Sequence, residues 1–110
     1  MALAEACFRL TMHFPKAEIF GMAAQIRRAS SSIPANIAEG HGREQTRSFV
    51  QYLRIAQGSL KELETHLLLA HRVELIQQAE ADTLVSSCET LGKMLRALIR
   101  SLQIKNQSAQ

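Results

Sequence analysis

Apolar residues recur along the chain at alternating spacings of four and three, the signature of helical stripes. Leu3, Cys7, Leu10 and Phe14 form the first stripe, predicting a helix over residues 2–14. Pro15 ends that helix or opens the next turn. Ile19, Ala23, Ile26, Ser30, Ile33 and Ile37 carry the second, over residues 16–40. Pro34 lies inside it, where a proline removes one backbone hydrogen bond and clashes with the carbonyl of Ser30. A kink or a break is expected there, with Ser30, Ser31 and Ser32 placed to satisfy the freed backbone groups. Gly40-His41-Gly42 supplies the stop.

The third stripe is the clearest. Phe49, Leu53, Ala56, Leu60, Leu63, Leu67 and Ala70 form a bundle seam over residues 44–72. Gly58 interrupts it at a cost of about 1 kcal/mol relative to alanine, so close packing by another helix is the expected reason for it. Leu84, Cys88, Leu91, Leu95, Leu98 and Leu102 carry the fourth helix, over residues 80–105, and a polar tail from Asn106 to Gln110 is expected to be disordered. The loops are short, so consecutive helices should be antiparallel neighbours. The fold predicted is all-α: one antiparallel up-down-up-down four-helix bundle.

Several apolar residues fall off these seams: Phe8, Phe20, Val50, Tyr52, Ile55, Leu68, Leu69, Val73 and Ile99. A bundle helix needs roughly three apolar positions in seven. The excess reads either as a wide core face or as a second face buried between subunits.

Composition supports one small domain. The chain has 110 residues, 46% apolar and 21% charged, and can bury roughly 60–70% of its unfolded surface. Cys7 and Cys88 are too few for a disulfide scaffold and sit at helical core spacing, which predicts small buried hydrophobes in a reduced setting. The first ten residues hold Glu5 and Arg9 where a signal peptide needs an apolar run. No segment approaches the ~20 apolar residues that span a bilayer. A soluble, cytoplasmic protein without a membrane partner is expected. Net charge is +3, and nine of thirteen basic residues are arginine, the side chain suited to phosphate and carboxylate forks.

Candidate chemistry is sparse. The four histidines form no HExxH pattern, and there is no CxxC, so neither a metal nor another cofactor is expected. No nucleophile elbow or phosphate loop is present, and no enzyme is predicted. Gln25, Arg27, Arg28, Asn36, Glu39 and Arg43 do cluster around Pro34, with Ser59 and Glu62 able to answer them from the third helix. That cluster is either a polar binding pocket or a satisfied network that sets helix register; the pattern favours the network. Arg43, Arg47, Arg54 and Lys61, spaced by 4, 7 and 7, make an exposed basic row on the third helix. Lys93, Arg96 and Arg100 make another on the fourth. Such rows can track phosphates, yet no aromatic residues are interleaved for base stacking, and a merely solvated face fits the pattern equally well.

The segments FPKAEIFGMAAQIRRASSSIPANIAEGHGR and FVQYLRIAQGSLKELETHL add a resemblance. Their pieces F-P-x-x-E, Q-x-R-R-A, N-I-A-E-G-x-G-R and G-S-x-x-E resemble, in order and spacing, the four-helix bundle proteins encoded by intervening sequences of 23S ribosomal RNA genes. Members usually carry a tryptophan-containing lead-in before the first helix; this chain has no tryptophan and starts inside that helix. The resemblance implies a homopentamer and kinship with nucleic-acid-binding accessory proteins of diversity-generating retroelements. The family motif falls on Gln25, Arg27, Arg28, Asn36, Glu39, Gly40, Arg43, Ser59 and Glu62. The expectation is a non-enzymatic homo-oligomer binding RNA or DNA through Arg43, Arg47, Arg54, Lys61, Arg96 and Arg100. The alternative is an interaction module whose partner is a protein such as a polymerase.

Overall fold

A computed structural model describes residues 1–108. It contains α1 (Ala2–Thr11), α2 (Met22–His41), α3 (Thr46–Arg72) and α4 (Gln78–Ser108), with one 3-10 turn at Lys16–Glu18 between α1 and α2. No strand occurs among the described residues. Paired residues rise in number along one helix as they fall along its neighbour. Arg28 meets Glu62, Ser32 meets Ser59, and Gly40 lies against Phe49 and Tyr52. Arg27 bonds to Thr11 between α2 and α1, while Leu60 approaches Gly92 between α3 and α4. The helices pack as an antiparallel bundle 53 Å long.

The apolar stripes meet in one core. Ile26, Leu53, Leu63 and Leu67 are its largest fully buried side chains, joined by Cys7 and Cys88. Burial pushes the Cys7 thiol up to about 11 and that of Cys88 to about 12, so both stay protonated at neutral pH and pack as apolar groups. Open grooves of about 530 and 470 Å³ run along the α1/α4 seam, and one of about 660 Å³ lies between α1 and α2.

Four expectations are corrected. The second helix starts at Met22, because Pro15 opens a separate 3-10 turn first. α1 ends at Thr11, and Phe14 reaches the core from the turn beyond it. On α4, Ile99 is buried while Leu98 is 38% exposed. The strict seven-residue repeat drifts by ~20° per heptad on a straight helix, which rotates Leu98 out and Ile99 in. α4 also continues through Ser108, so residues 106–108 are helical; Ala109 and Gln110 of the expected tail lie outside the described residues.

α2 runs unbroken through Pro34. The serine hydroxyls do not reach the carbonyl that proline frees on Ser30. They bond back one turn earlier, Ser30 to the carbonyl of Arg27 and Ser31 to that of Arg28.

Two backbone positions control how α3 meets its neighbours. A Cβ on Gly40 would stand 2.7 Å from Tyr52 Cβ and 3.0 Å from Phe49 Cδ1. Only glycine admits that approach of α2 to α3 without a shift. At the other end, Glu74 has φ 65°. The Leu75 N–H donates to the Ala70 carbonyl at 2.8 Å and the Glu74 N–H to that of His71 at 3.0 Å. This is a Schellman closure with glutamate where glycine is usual.

Gly40→Ala is therefore expected to destabilise the fold by about 1–3 kcal/mol through overpacking. Glu74→Gly is expected to stabilise it by about 1 kcal/mol through relief of the left-handed strain. Urea unfolding of the two variants checks both signs.

Candidate nucleic-acid interface

The polar residues around Pro34 form a ladder along the α2/α3 seam. In its first rung, Arg28 donates to Gln25 Oε1 at 2.6 Å and to Glu62, which also lies 3.4 Å from His66 Nε2. In the second, Ser32 and Ser59 share a hydrogen bond of 2.7 Å, and Asn36 Nδ2 donates to the Ser32 carbonyl at 2.8 Å. In the third, Arg43 donates to Glu39 at 2.6 Å and to the Tyr52 hydroxyl at 2.8 Å, with its guanidinium 5.0 Å from the Tyr52 ring centre. The helical spacing of Arg28, Ser32, Asn36 and Glu39 puts them on one face of α2, opposite Tyr52, Ser59 and Glu62.

Each charge in this ladder is answered from within it. The Arg28 guanidinium, with a smaller contribution from His66, holds the Glu62 carboxyl below its ordinary value of 4.5. The hydrogen bond that Arg43 donates to the Glu39 carboxylate pushes the Arg43 guanidinium further up. Asn36, Glu39 and Arg43 each pair with a neighbour. Arg27, part of the same motif, faces the other way: its Nε donates to Thr11 at 2.7 Å and it stacks over Phe8 on α1.

The second basic set behaves differently. Arg54 and Lys61 from α3 and Arg96 from α4 line one open groove of about 370 Å³, together with Gln57, Gly58 and Gly92. A further groove of about 350 Å³ continues toward the start of α3, lined by Thr46, Arg47, Val50, Gln103 and Asn106. Neither lining contains a carboxylate. Lys61 is 3.7 Å from Glu64. Among the described residues, Arg47, Arg54, Lys93, Arg96 and Arg100 have no carboxylate within 4.0 Å. The α3 N-terminus adds unsatisfied N–H groups and a positive dipole end beside Arg47.

The single row expected from Arg43 to Lys61 is thus divided. Arg47, Arg54 and Lys61 follow the α3/α4 side, and Arg96 joins them. Arg43 precedes α3 and turns back onto Glu39 of α2. Arg100 is exposed one turn beyond Arg96. Ser32, Tyr52 and His66 were not singled out as ladder members. Ser32 had a signal, lying four residues before Asn36, whereas Tyr52 enters only because α2 and α3 touch at Gly40.

A family model described as 23S rRNA-intervening sequence protein matches residues 1–97. The chain belongs to this family. Its fold is shared with the crystal structure of a protein of unknown function from the S23 ribosomal protein family of Bacteroides thetaiotaomicron. That likeness has a TM-score of 0.71 at 24% identity, over 88% of this chain and 97% of the other. Among curated proteins, none matches the chain. Neither description names a catalytic activity. No helix among the described residues of this 23S rRNA-intervening sequence family member is long and apolar enough to cross a membrane, and none of their His, Cys, Asp and Glu side chains group into a metal site.

The Arg28–Glu62 pair gives a pH signature. The folded pKa of Glu62 is lowered, so the pair's stabilisation is complete above pH 4.5 and is lost as pH falls through the lowered value. Arg28→Ala should lower the thermal midpoint at pH 7, and the gap to the unsubstituted protein should close in strong acid. A gap that stays constant between pH 7 and pH 2 would contradict the pairing.

Proposed function

We propose that this chain is a non-enzymatic, homo-oligomeric bundle that binds the phosphate backbone of RNA or DNA along its α3/α4 face. The observation that carries this reading is the division of the basic residues. Arg28 and Arg43 are neutralised in the α2/α3 ladder, whereas Arg54 and Arg96 line an acid-free groove. Cations brought together without counter-charges repel one another, and an external polyanion relieves that repulsion. From Arg47 to Lys61 the face extends roughly 21 Å along α3. A duplex presents one phosphate charge per ~3.4 Å of axis on each strand, so several phosphates fit within that length.

Assembly is supported by the apolar side chains that the bundle leaves outside. Phe20 is 93% exposed, and Phe8, Ile55, Leu68, Leu69 and Val73 are each more than two-fifths exposed. Contiguous apolar surface marks an interaction site; Leu68, Leu69 and Val73 lie together at the end of α3, and a second copy of the chain is the partner this reading assigns. The family resemblance supports a pentamer as its specific form.

The test measures binding of a labelled RNA hairpin and a DNA duplex across a salt series, with light scattering on the same samples. Affinity should fall steeply with salt, by a slope of ~0.9 for each phosphate contacted on duplex DNA. Arg54→Glu/Arg96→Glu should remove at least about tenfold of the affinity at low salt. A monomeric mass would overturn the assembly claim. Absence of binding by the unsubstituted protein at low salt would overturn the nucleic-acid claim and favour a protein partner such as a polymerase.

A further inference from the structure

We propose that Gly58 marks the seat of one backbone phosphate, held over the bare helix of α3 between Arg54, Lys61 and Arg96; this rests on the nucleic-acid reading above. Gly58 stands in the interior of a 27-residue helix, where glycine weakens the helix relative to alanine. Close packing would account for it, but a Cβ built there meets nothing within 4 Å. Gly40 is the contrast within the same bundle, because its missing Cβ is demanded by Phe49 and Tyr52. No contact inside the chain requires the bare backbone at Gly58.

Its surroundings indicate what does. Gly58 lines the basic groove with Arg54 four residues before it, Lys61 three residues after it, and Arg96 across it on α4. Positions i−4 and i+3 flank a helical residue on one face. The two α3 cations therefore bracket the bare position, and Arg96 lines the groove from α4. Across the same groove, a Cβ on Gly92 would make only ordinary contacts, at 3.5 Å to Leu60 and to Arg96. The groove thus sets Arg54, Lys61 and Arg96 around Gly58, Gly92, Gln57 and Leu60, with Lys61 also 3.7 Å from Glu64. A side chain at Gly58 would project into the groove that Arg54, Lys61 and Arg96 line. Tetrahedral phosphate oxygens match forked guanidinium donors, and a nucleic-acid backbone delivers that group repeatedly at low conformational cost.

The experiment uses neutral substitutions, so the long-range charge stays constant. Gly58→Ala adds a methyl group to open space, and Gly58→Leu fills it. Gly58→Ala should raise the thermal midpoint by about 2–6 °C, as expected for an exposed helix interior, and should still weaken binding of the RNA hairpin or DNA duplex. Gly58→Leu should weaken it about tenfold and reduce the salt slope by about one phosphate contact. If both variants stay folded and bind with unchanged affinity and slope, the seat is overturned while the wider nucleic-acid reading stands. If Gly58→Leu dissociates the assembly in light scattering, the groove is occupied by a second copy and the seat is likewise overturned. If the unsubstituted protein binds neither probe, both readings fall together.

Discussion

The close approach of α2 to α3 organises this molecule. At its tight end, Gly40 lets the α2 backbone settle against Phe49 and Tyr52. That contact sets the axial register of the two helices, and every pairing further along the seam follows from it. Ser32 reaches Ser59, and Arg28 reaches Glu62, because moving toward the start of α2 from Gly40 is matched by moving toward the end of α3 from Phe49 and Tyr52. A purely apolar antiparallel seam tolerates sliding by one turn, since a similar stripe is presented again. Hydroxyl and ionic rungs do not, because a slip leaves each of them without its partner. The ladder's contribution is therefore specificity more than energy, as expected for exposed ion pairs of small individual worth.

The same register separates the arginines into two populations. Those facing the α2/α3 seam meet carboxylates or a tyrosine, and their charge is spent inside the chain. Those facing the α3/α4 seam meet glycine, glutamine and leucine, and their charge projects outward. Net charge alone, at +3, hides this contrast, because it averages over both faces. Electrostatic steering depends on the local field, which a groove bounded by low-dielectric walls concentrates.

Much of the fold was legible because the stripes on the second, third and fourth helices repeat by four and three over many turns. The polar cluster was legible too, since Arg28, Asn36 and Glu39 share a helical face and Glu62 lies on the partner. What escaped was governed by tertiary geometry. Leu98 and Ile99 exchange places because a straight α-helix drifts against a seven-residue repeat. Glu74 closes α3 in a conformation that usually announces itself with glycine. Arg43 continues the basic spacing of α3 in sequence, yet precedes the helix and binds Glu39. Periodicity assigns a residue to a face only while the helix lasts.

Gly58 shows why a glycine in a helix has no single meaning. Read from the chain alone, Gly40 is part of a helix stop and Gly58 a close-packing site. In the fold Gly40 lies inside α2 and is the close-packed one, pressed against aromatic side chains, while Gly58 is open to solvent. The proposed phosphate seat accounts for a residue that weakens its helix and serves no internal contact. In a symmetric oligomer each subunit would carry its own copy of the α3/α4 groove, and one backbone could engage several of them. Linked weak contacts then bind together far more tightly than any one alone. A shallow groove with three cations suffices for that role, because affinity would come from repetition, and a deep, selective pocket is not required.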